Sequence, residues 1–303
     1  MSRTDRVLGL RAVASAATWS TRRRLRVVAY HGVSNPDAFC AQLDYLMAEF
    51  TIVSGAEVAE SIEAGRELPE RALWLTFDDG NRSIVDNGLP HLTRRGLAAT
   101  AFICPGLIES GRGYWWAAVD AALDQGPVRF AGRRWEDRSL VTHLKTVPDE
   151  ERRAFVESLP VPPSTEDPPM DRTQLSSWID AGLEVGNHTW DHPCLPRCAP
   201  EEQRAQIVRS HQWLAELLGE PCRLFAYPNG DGGDSAREVL RELDQLVLGF
   251  DHHLVARQPD PLAISRLRLD SDAPMHRVRA IASGSHSALF EARAQLRRAK
   301  PHG

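Results

Sequence analysis

The stretch "RALWLTFDDGNRS", residues 71–83, runs seven residues with a single charge at its start, then stops on two adjacent aspartates sealed by glycine. Near-continuous apolar character without polar alternation describes a strand buried on both faces, as in a parallel sheet. Neighbouring side chains on a strand point to opposite faces, so Asp78 and Asp79 ought to part company. Two ionised carboxylates at the end of a buried strand are costly unless a cation compensates them. The pair therefore implies either a bound cation or a catalytic duty.

Similar short runs recur on either side: "LRVVAY" (25–30), "AATAFIC" (98–104), "LEVGN" (183–187), "CRLFAY" (222–227), "VLGF" (247–250) and "LAISRLRL" (262–269). Helical patterns such as "AFCAQLDYLMAEF" and "PEEQRAQIVRSHQWLAELLG" separate them. Strand–helix repetition predicts an α/β fold with a mostly parallel sheet and helical crossovers. About seven such units, with no glycine-rich dinucleotide fingerprint, favour a (β/α) barrel over an open sheet. The predicted organisation is a basic N-terminal extension (1–24), a barrel over 25–285 interrupted by an insertion at 113–170, and a basic C-terminal tail (286–303). The insertion carries "GYWWAAVDAALDQG", a hairpin-like "VRFAGRRW" and the breaker-rich "PVPPSTEDPPM". Its Tyr114, Trp115, Trp116 and Trp135 suit either stacking on sugar rings or packing the insertion itself.

A net charge of −5 gives no global attraction for nucleic acid. The ends differ from the whole: residues 1–26 hold seven arginines against Asp5, and the stretch "EARAQLRRAK" (291–300) is also basic. Such ends are either solvated or suited to weak contact with an anionic membrane surface. Residues 7–19 mimic a signal sequence, but Arg11 interrupts them and Leu10, Val13, Ala14 and Ala17 follow a helical stripe. No run reaches the roughly 18 apolar residues of a membrane span. Five irregularly spaced cysteines do not make a disulfide framework. These signs predict a cytoplasmic protein, at most peripheral to a membrane.

"GNHTWDHPCL", residues 186–195, is the second informative stretch. His188 and His192 are four apart, which brings both imidazoles to one side of a turn, directly after a strand. Barrels collect their chemistry at the C-terminal rim of the strands. Two histidines and one carboxylate are a common zinc set that leaves positions for water and substrate.

With both stretches in view, the chain resembles the NodB-homology polysaccharide deacetylases, carbohydrate esterase family 4. "TFDDG" matches that family's first motif, "HTWDH" its second, and "FAYPNGD" (225–231) is similar to its third. The resemblance implies a distorted (β/α) barrel and metal-assisted hydrolysis of acetyl groups, N- or O-linked, on a carbohydrate or glycan precursor. It implies Asp79, His188 and His192 as ligands of a divalent ion, zinc first, with cobalt, nickel or manganese as substitutes. Asp78 becomes the general base, and Tyr227, Pro228 and Asn229 the substrate wall, with a backbone N–H near Tyr227 for the oxyanion.

Two features depart from the pattern. Ala226 stands where the family's third motif carries an arginine, and "LAISRLRLD" lacks the histidine of a Leu-x-His motif. "AYHGV" (29–33) is similar to a branch in which Tyr-His ends the first strand, which implies His31 as general acid and Arg266 as the replacement arginine. The plain alternatives are a structural histidine and a rim salt bridge. At the level of function, the alternatives are an amidohydrolase acting on a small non-sugar amide and a silent carbohydrate-binding homologue. Cys194 and Cys198 read as ordinary thiols, and His252 or His253 as rim or loop residues.

Overall fold

The computed structural model describes residues 3–160 and 168–298. Most of the breaker-rich run and the last residues of the basic tail lie outside them. Eight strands form one parallel sheet: β1 (Arg26–Tyr30), β2 (Thr51–Val53), β3 (Ala72–Phe77), β4 (Thr100–Ile103), β7 (Glu184–Asn187), β8 (Leu224–Ala226), β9 (Leu246–Leu248) and β10 (Leu267–Arg268). A separate antiparallel hairpin pairs β5 (Val128–Phe130) with β6 (Arg133–Trp135). The sheet order is β10-β1-β3-β4-β7-β8-β9. Its ends are joined by one stretch of chain: Ile264 bridges Leu248, and three residues later Leu267 pairs with Val28. The sheet thus curls toward closure, as expected of a distorted (β/α) barrel.

The distortion has a local cause. The far edge of β3 is shared, with β2 pairing along Ala72–Trp74 and β4 only at Thr76 and Phe77. Sequence reading passes over β2, since three residues that end in a helix cap, Ser54, present too short an apolar run to register.

Strand parity divides the core. Leu73, Leu75 and Phe77 pack outward against helix residues such as Phe39, Leu43, Leu92 and Trp178. Val27, Trp74, Phe102, Leu224, Ala226, Leu248 and Ile264 fill the interior. Covering on both faces is why β1 and β3 are buried at every position. At the closed end the Trp74 indole donates to the Thr100 hydroxyl (2.9 Å), which donates to Glu184 (2.5 Å). Glu184 in turn accepts from the backbone N–H groups of Gly55 and Ala56, at the start of helix Gly55–Ala64. The inward series Trp74, Thr76 continues at the open end to Asp78.

Residues 113–160 build a lobe between β4 and β7, with helices Trp115–Asp124, Ser139–Leu144 and Asp149–Glu157 around the hairpin. Trp115 and Trp135 are buried with Val119, Phe130 and Leu144 in the lobe's own core. That burial removes them as sugar-stacking platforms; only Trp116 keeps part of its surface exposed. At the other end of the chain order, helices Arg3–Leu8 and Arg11–Ser20 lie against helix Met275–Ala282. Arg24 and Arg26 are consumed there: Arg26, fully buried, donates to the carbonyls of Ala282 and Arg24, and Arg24 to those of Leu254 and Val255. Neither is the solvated charge that composition alone allows.

Candidate metal centre

Asp79 answers the question of the paired aspartates through its backbone. Its φ of 69° lies in the left-handed region, followed by Gly80 at the same angle. The reversal breaks strand alternation, so both carboxylates serve the rim instead of opposite faces. Gly80 is required twice over, by that φ and because a Cβ would press on Ile103 at 3.1 Å. Thr189 (69°), His192 (60°) and Asn229 (58°) share this sparsely populated conformation, so the unusual backbone concentrates around the same rim.

Asp79 Oδ1 lies 3.3 Å from His188 Nε2 and 3.2 Å from His192 Nε2. These three are the group among the described residues whose donor atoms converge as a metal cradle, all within 4.8 Å of one another. His188 Nδ1 sits 2.7 Å from the carbonyl oxygen of Ala226, which can only accept. The Nδ1 nitrogen therefore carries hydrogen and Nε2 turns a lone pair toward Asp79 in the neutral ring. Burial disfavours the charged form of His192. Burial would also raise Asp79, but the pull of the two imidazoles outweighs it and holds the carboxyl well below its usual range. Asp79 and its two imidazoles form a donor set of one carboxylate and two nitrogens that a divalent cation would complete. A carboxylate and two imidazoles match zinc or its divalent neighbours.

The cradle is held from behind. Asn187 accepts from the Thr189 N–H (2.8 Å) and donates to the Ile207 carbonyl, while Thr189 Oγ1 accepts from the His192 N–H (3.2 Å). The lobe adds further holds. Tyr114 donates its hydroxyl to the Asp79 carbonyl (3.3 Å), and Trp116 lies edge-to-face on His192 with centroids 4.7 Å apart. Arg153 makes a fork to Asp191 (2.8 Å twice), and Asp149 accepts from the Cys194 N–H (3.2 Å). Asp149 is itself buried against Arg152. Sequence reading misses this clamp, although the i,i+3 and i,i+4 charges in "DEERR" are its visible trace.

Asp78 is buried, and its two oxygens accept from Arg266 Nη1 (2.6 Å) and Nη2 (2.8 Å). Arg266 is fully buried, with Nε donating to the Gly249 carbonyl and its guanidinium facing the Phe102 and Phe250 rings. Burial alone would raise the Asp78 pKa; the Arg266 charge and fork outweigh it and lower the value. His31 follows β1, half-buried at the same rim, its ring 6.0 Å from that of Phe250.

Other sequence candidates land elsewhere. The Tyr227 N–H already donates to the Leu248 carbonyl (3.1 Å), so the strand ladder removes it as an oxyanion donor. Pro228 has no N–H, and Asn229 is exposed beside the site with its side chain toward Cys194 Sγ (3.9 Å). Tyr227 is buried, and burial pushes its phenol up to about 12. His252 packs between Phe250 and Phe290, and His253 lies against Glu291 of the last helix. Cys194 and Cys198 are pushed up by burial and stay thiols.

Comparison with known families adds a match to the polysaccharide deacetylase model over residues 65–247, more than half of the chain. The chain belongs to the polysaccharide deacetylase family. Membership makes this deacetylase-family chain a hydrolase of the NodB type, carbohydrate esterase family 4, and implies an acetylated carbohydrate as substrate. Solved structures agree on the fold. The Streptococcus pyogenes deacetylase PplD, determined with acetate, is 17% identical, with a TM-score of 0.62 over 84% of this chain and 96% of its own. IcaB from Ammonifex degensii is 22% identical (TM-score 0.59, 86% and 97% covered). The BpsB deacetylase domain from Bordetella bronchiseptica is 15% identical (TM-score 0.59, 82% and 96% covered). His31 and Arg266 lie outside the matched span, so their roles rest on geometry.

Proposed function

We propose that this chain is a metal-dependent carbohydrate deacetylase whose base is Asp78 and whose metal ligands are Asp79, His188 and His192. The observation that carries the reading is the buried Asp78–Arg266 fork beside the Asp-His-His cradle. A silent binding homologue has no use for an arginine brought across the fold to the position that Ala226 leaves unfilled. A divalent ion bound at the cradle supplies Lewis-acid polarisation of the acetyl carbonyl and a lowered water pKa.

The residues of the chain do the rest. Arg266 keeps Asp78 ionised and fixes its plane, and each carboxylate oxygen retains a lone pair to take a proton from the attacking water. Asn229, exposed beside the site, supplies the first backbone N–H after Pro228 and is the oxyanion donor in this reading. His31 protonates the departing amine or alkoxide, both poor leaving groups without a proton.

The direct test is acetate release from a panel of N- and O-acetylated glycans with zinc, with cobalt and after chelation. Release that chelation abolishes is the expected result. A metal-loaded protein that releases acetate from none of them, but hydrolyses a small non-sugar amide, would move the assignment to an amidohydrolase.

His192→Ala is expected to lose most of its Co²⁺ binding, followed by the visible absorption of the ion, with circular dichroism unchanged. Full occupancy in that variant would remove His192 from the ligand set. His31→Ala is expected to keep its metal and lower turnover by about 10²-fold or more, with the alkaline limb of the pH–rate profile lost. An unaltered alkaline limb would make His31 structural. The acid would then have to be sought at His252, whose ring lies on Phe250, or at His253.

A further inference from the structure

The two basic ends of the chain meet on one face. Helices Arg3–Leu8 and Arg11–Ser20 are pinned to helix Met275–Ala282 along their length: Asp5 accepts from Arg277 (3.2 Å), Arg279 donates to the Gly9 carbonyl (2.8 Å), and Thr21 donates to the Ser283 carbonyl (3.2 Å). Gly9 is obligatory in this seat, because a Cβ would fall 1.9 Å from the His276 carbonyl oxygen. The last helix, Ser285–Arg298, joins them through His286–Asp5 (3.8 Å) and Arg24–Glu291 (3.8 Å). These are docked elements with a defined outer face.

That outer face is apolar where a surface helix is normally polar. Of the seven exposed large apolar side chains among the described residues, five are here: Val7 (57% exposed), Leu10 (56%), Val13, Trp19 (63%) and Phe290. Helix Arg11–Ser20 buries Ala14 and Thr18 and turns Ala12, Val13, Ala16 and Trp19 to solvent. Arg6 and Arg11 stand exposed among them, and Arg22 covers one face of the Trp19 ring at 4.7 Å. The nearby acids are paired with arginines of the same face, Asp5 with Arg277, Glu291 with Arg24, and Glu70 with Arg22 and Arg23. Between the first and last helices lies a cavity of about 370 Å³ lined by Ile281, Leu289 and Phe290 and by Arg268 and Arg277, which are paired with Asp270 and Asp5.

We propose that this face docks the protein on an anionic lipid bilayer. Valine, leucine and tryptophan enter the interface while arginines meet lipid phosphates, the pattern of an interfacial helix and not of a spanning one. Among the described residues no helix is long and apolar enough to cross a membrane. Neither a nucleic acid nor a small soluble anion would reward the exposed Val7, Leu10 and Trp19, whereas a bilayer uses both halves of the surface.

The test is co-sedimentation of the full chain with vesicles of phosphatidylcholine alone or mixed with phosphatidylglycerol, at low and high salt, with no sugar substrate present. Binding is expected only with phosphatidylglycerol and is expected to weaken with salt. Arg6→Glu/Arg11→Glu and, separately, Val7→Ser/Leu10→Ser/Trp19→Ser are each expected to weaken it by about tenfold or more. All five positions are exposed, so both variants are expected to keep the wild-type thermal midpoint and metal content. Failure of the wild type to bind, equal binding to neutral vesicles, or undiminished binding by the serine variant would each overturn the proposal. So would light scattering that finds a dimer which the serine variant abolishes, because the face would then be a contact between copies.

Discussion

Asp78→Asn is expected to lower turnover by about 10²- to 10⁴-fold while leaving the metal in place. Asparagine has nearly the shape of aspartate but no basic oxygen, so the attacking water loses its proton acceptor. The cradle of Asp79, His188 and His192 does not include Asp78, and Co²⁺ titration is expected to give the wild-type stoichiometry. The substitution has a second effect that must be kept apart from the first. The amide that replaces the carboxylate would turn an N–H toward one arm of Arg266 and leave a buried guanidinium without its counter-charge. Turnover therefore has to be measured on folded, metal-loaded protein well below its thermal midpoint. A near-normal kcat under those conditions would place the base elsewhere.

Arg266→Met isolates that second effect. Both partners of the fork are almost wholly buried, so removing the arginine strands a carboxylate in an apolar wall of Phe102 and Phe250. Breaking such a pair costs about 3–5 kcal/mol. The sign with pH follows from the lowered Asp78 value. A carboxylate depressed in the folded state contributes stability above its unfolded pKa, about 3.9, and loses it as pH falls through the folded value. In the variant, burial is unopposed and protonation relieves the penalty. The gap in urea midpoint between wild type and Arg266→Met is thus expected to be widest near neutral pH and to narrow as pH falls, first as the variant's raised carboxyl protonates above about pH 4 and then as the wild type's does below it. A gap independent of pH would mean that the fork contributes through packing alone.

What the sequence makes legible follows from locality. β1, β3 and β4 are short, mostly apolar runs, and the two motifs that end β3 and β7 are each contained in a few residues, so both can be read directly. The long run "LAISRLRL" reads as one strand, yet only Leu267 and Arg268 form one. The chain there crosses from one edge of the sheet to the other, and Ile264 serves the first edge alone. Arg266 sits 188 residues from its partner, a distance over which no periodicity speaks; only family likeness points to it. The ambiguity of Trp115, Trp116 and Trp135 is also real, because a tryptophan that fills a small lobe and one that meets a sugar have the same neighbours in sequence. Packing separates them, two inside and one on the His192 ring. The Tyr227 amide fails for a similar reason: its acceptor, Leu248, belongs to the next strand, and strand register is not written in either segment.

The lobe at 113–160 touches the metal loop by charge as well as by packing, with Arg153 forked onto Asp191 and Asp149 on the Cys194 amide. That makes the two segments a single unit of exchange. A graft that brought a foreign lobe onto this barrel, to change which glycan is accepted, would leave Asp191 facing whatever replaced Arg153. It would also uncap the Cys194 amide two residues beyond His192. Chimeras that carry the lobe and residues 188–194 together are expected to keep their metal, and chimeras that carry the lobe alone are expected to lose it. The same bond couples any change in the lobe to the loop that carries His188 and His192.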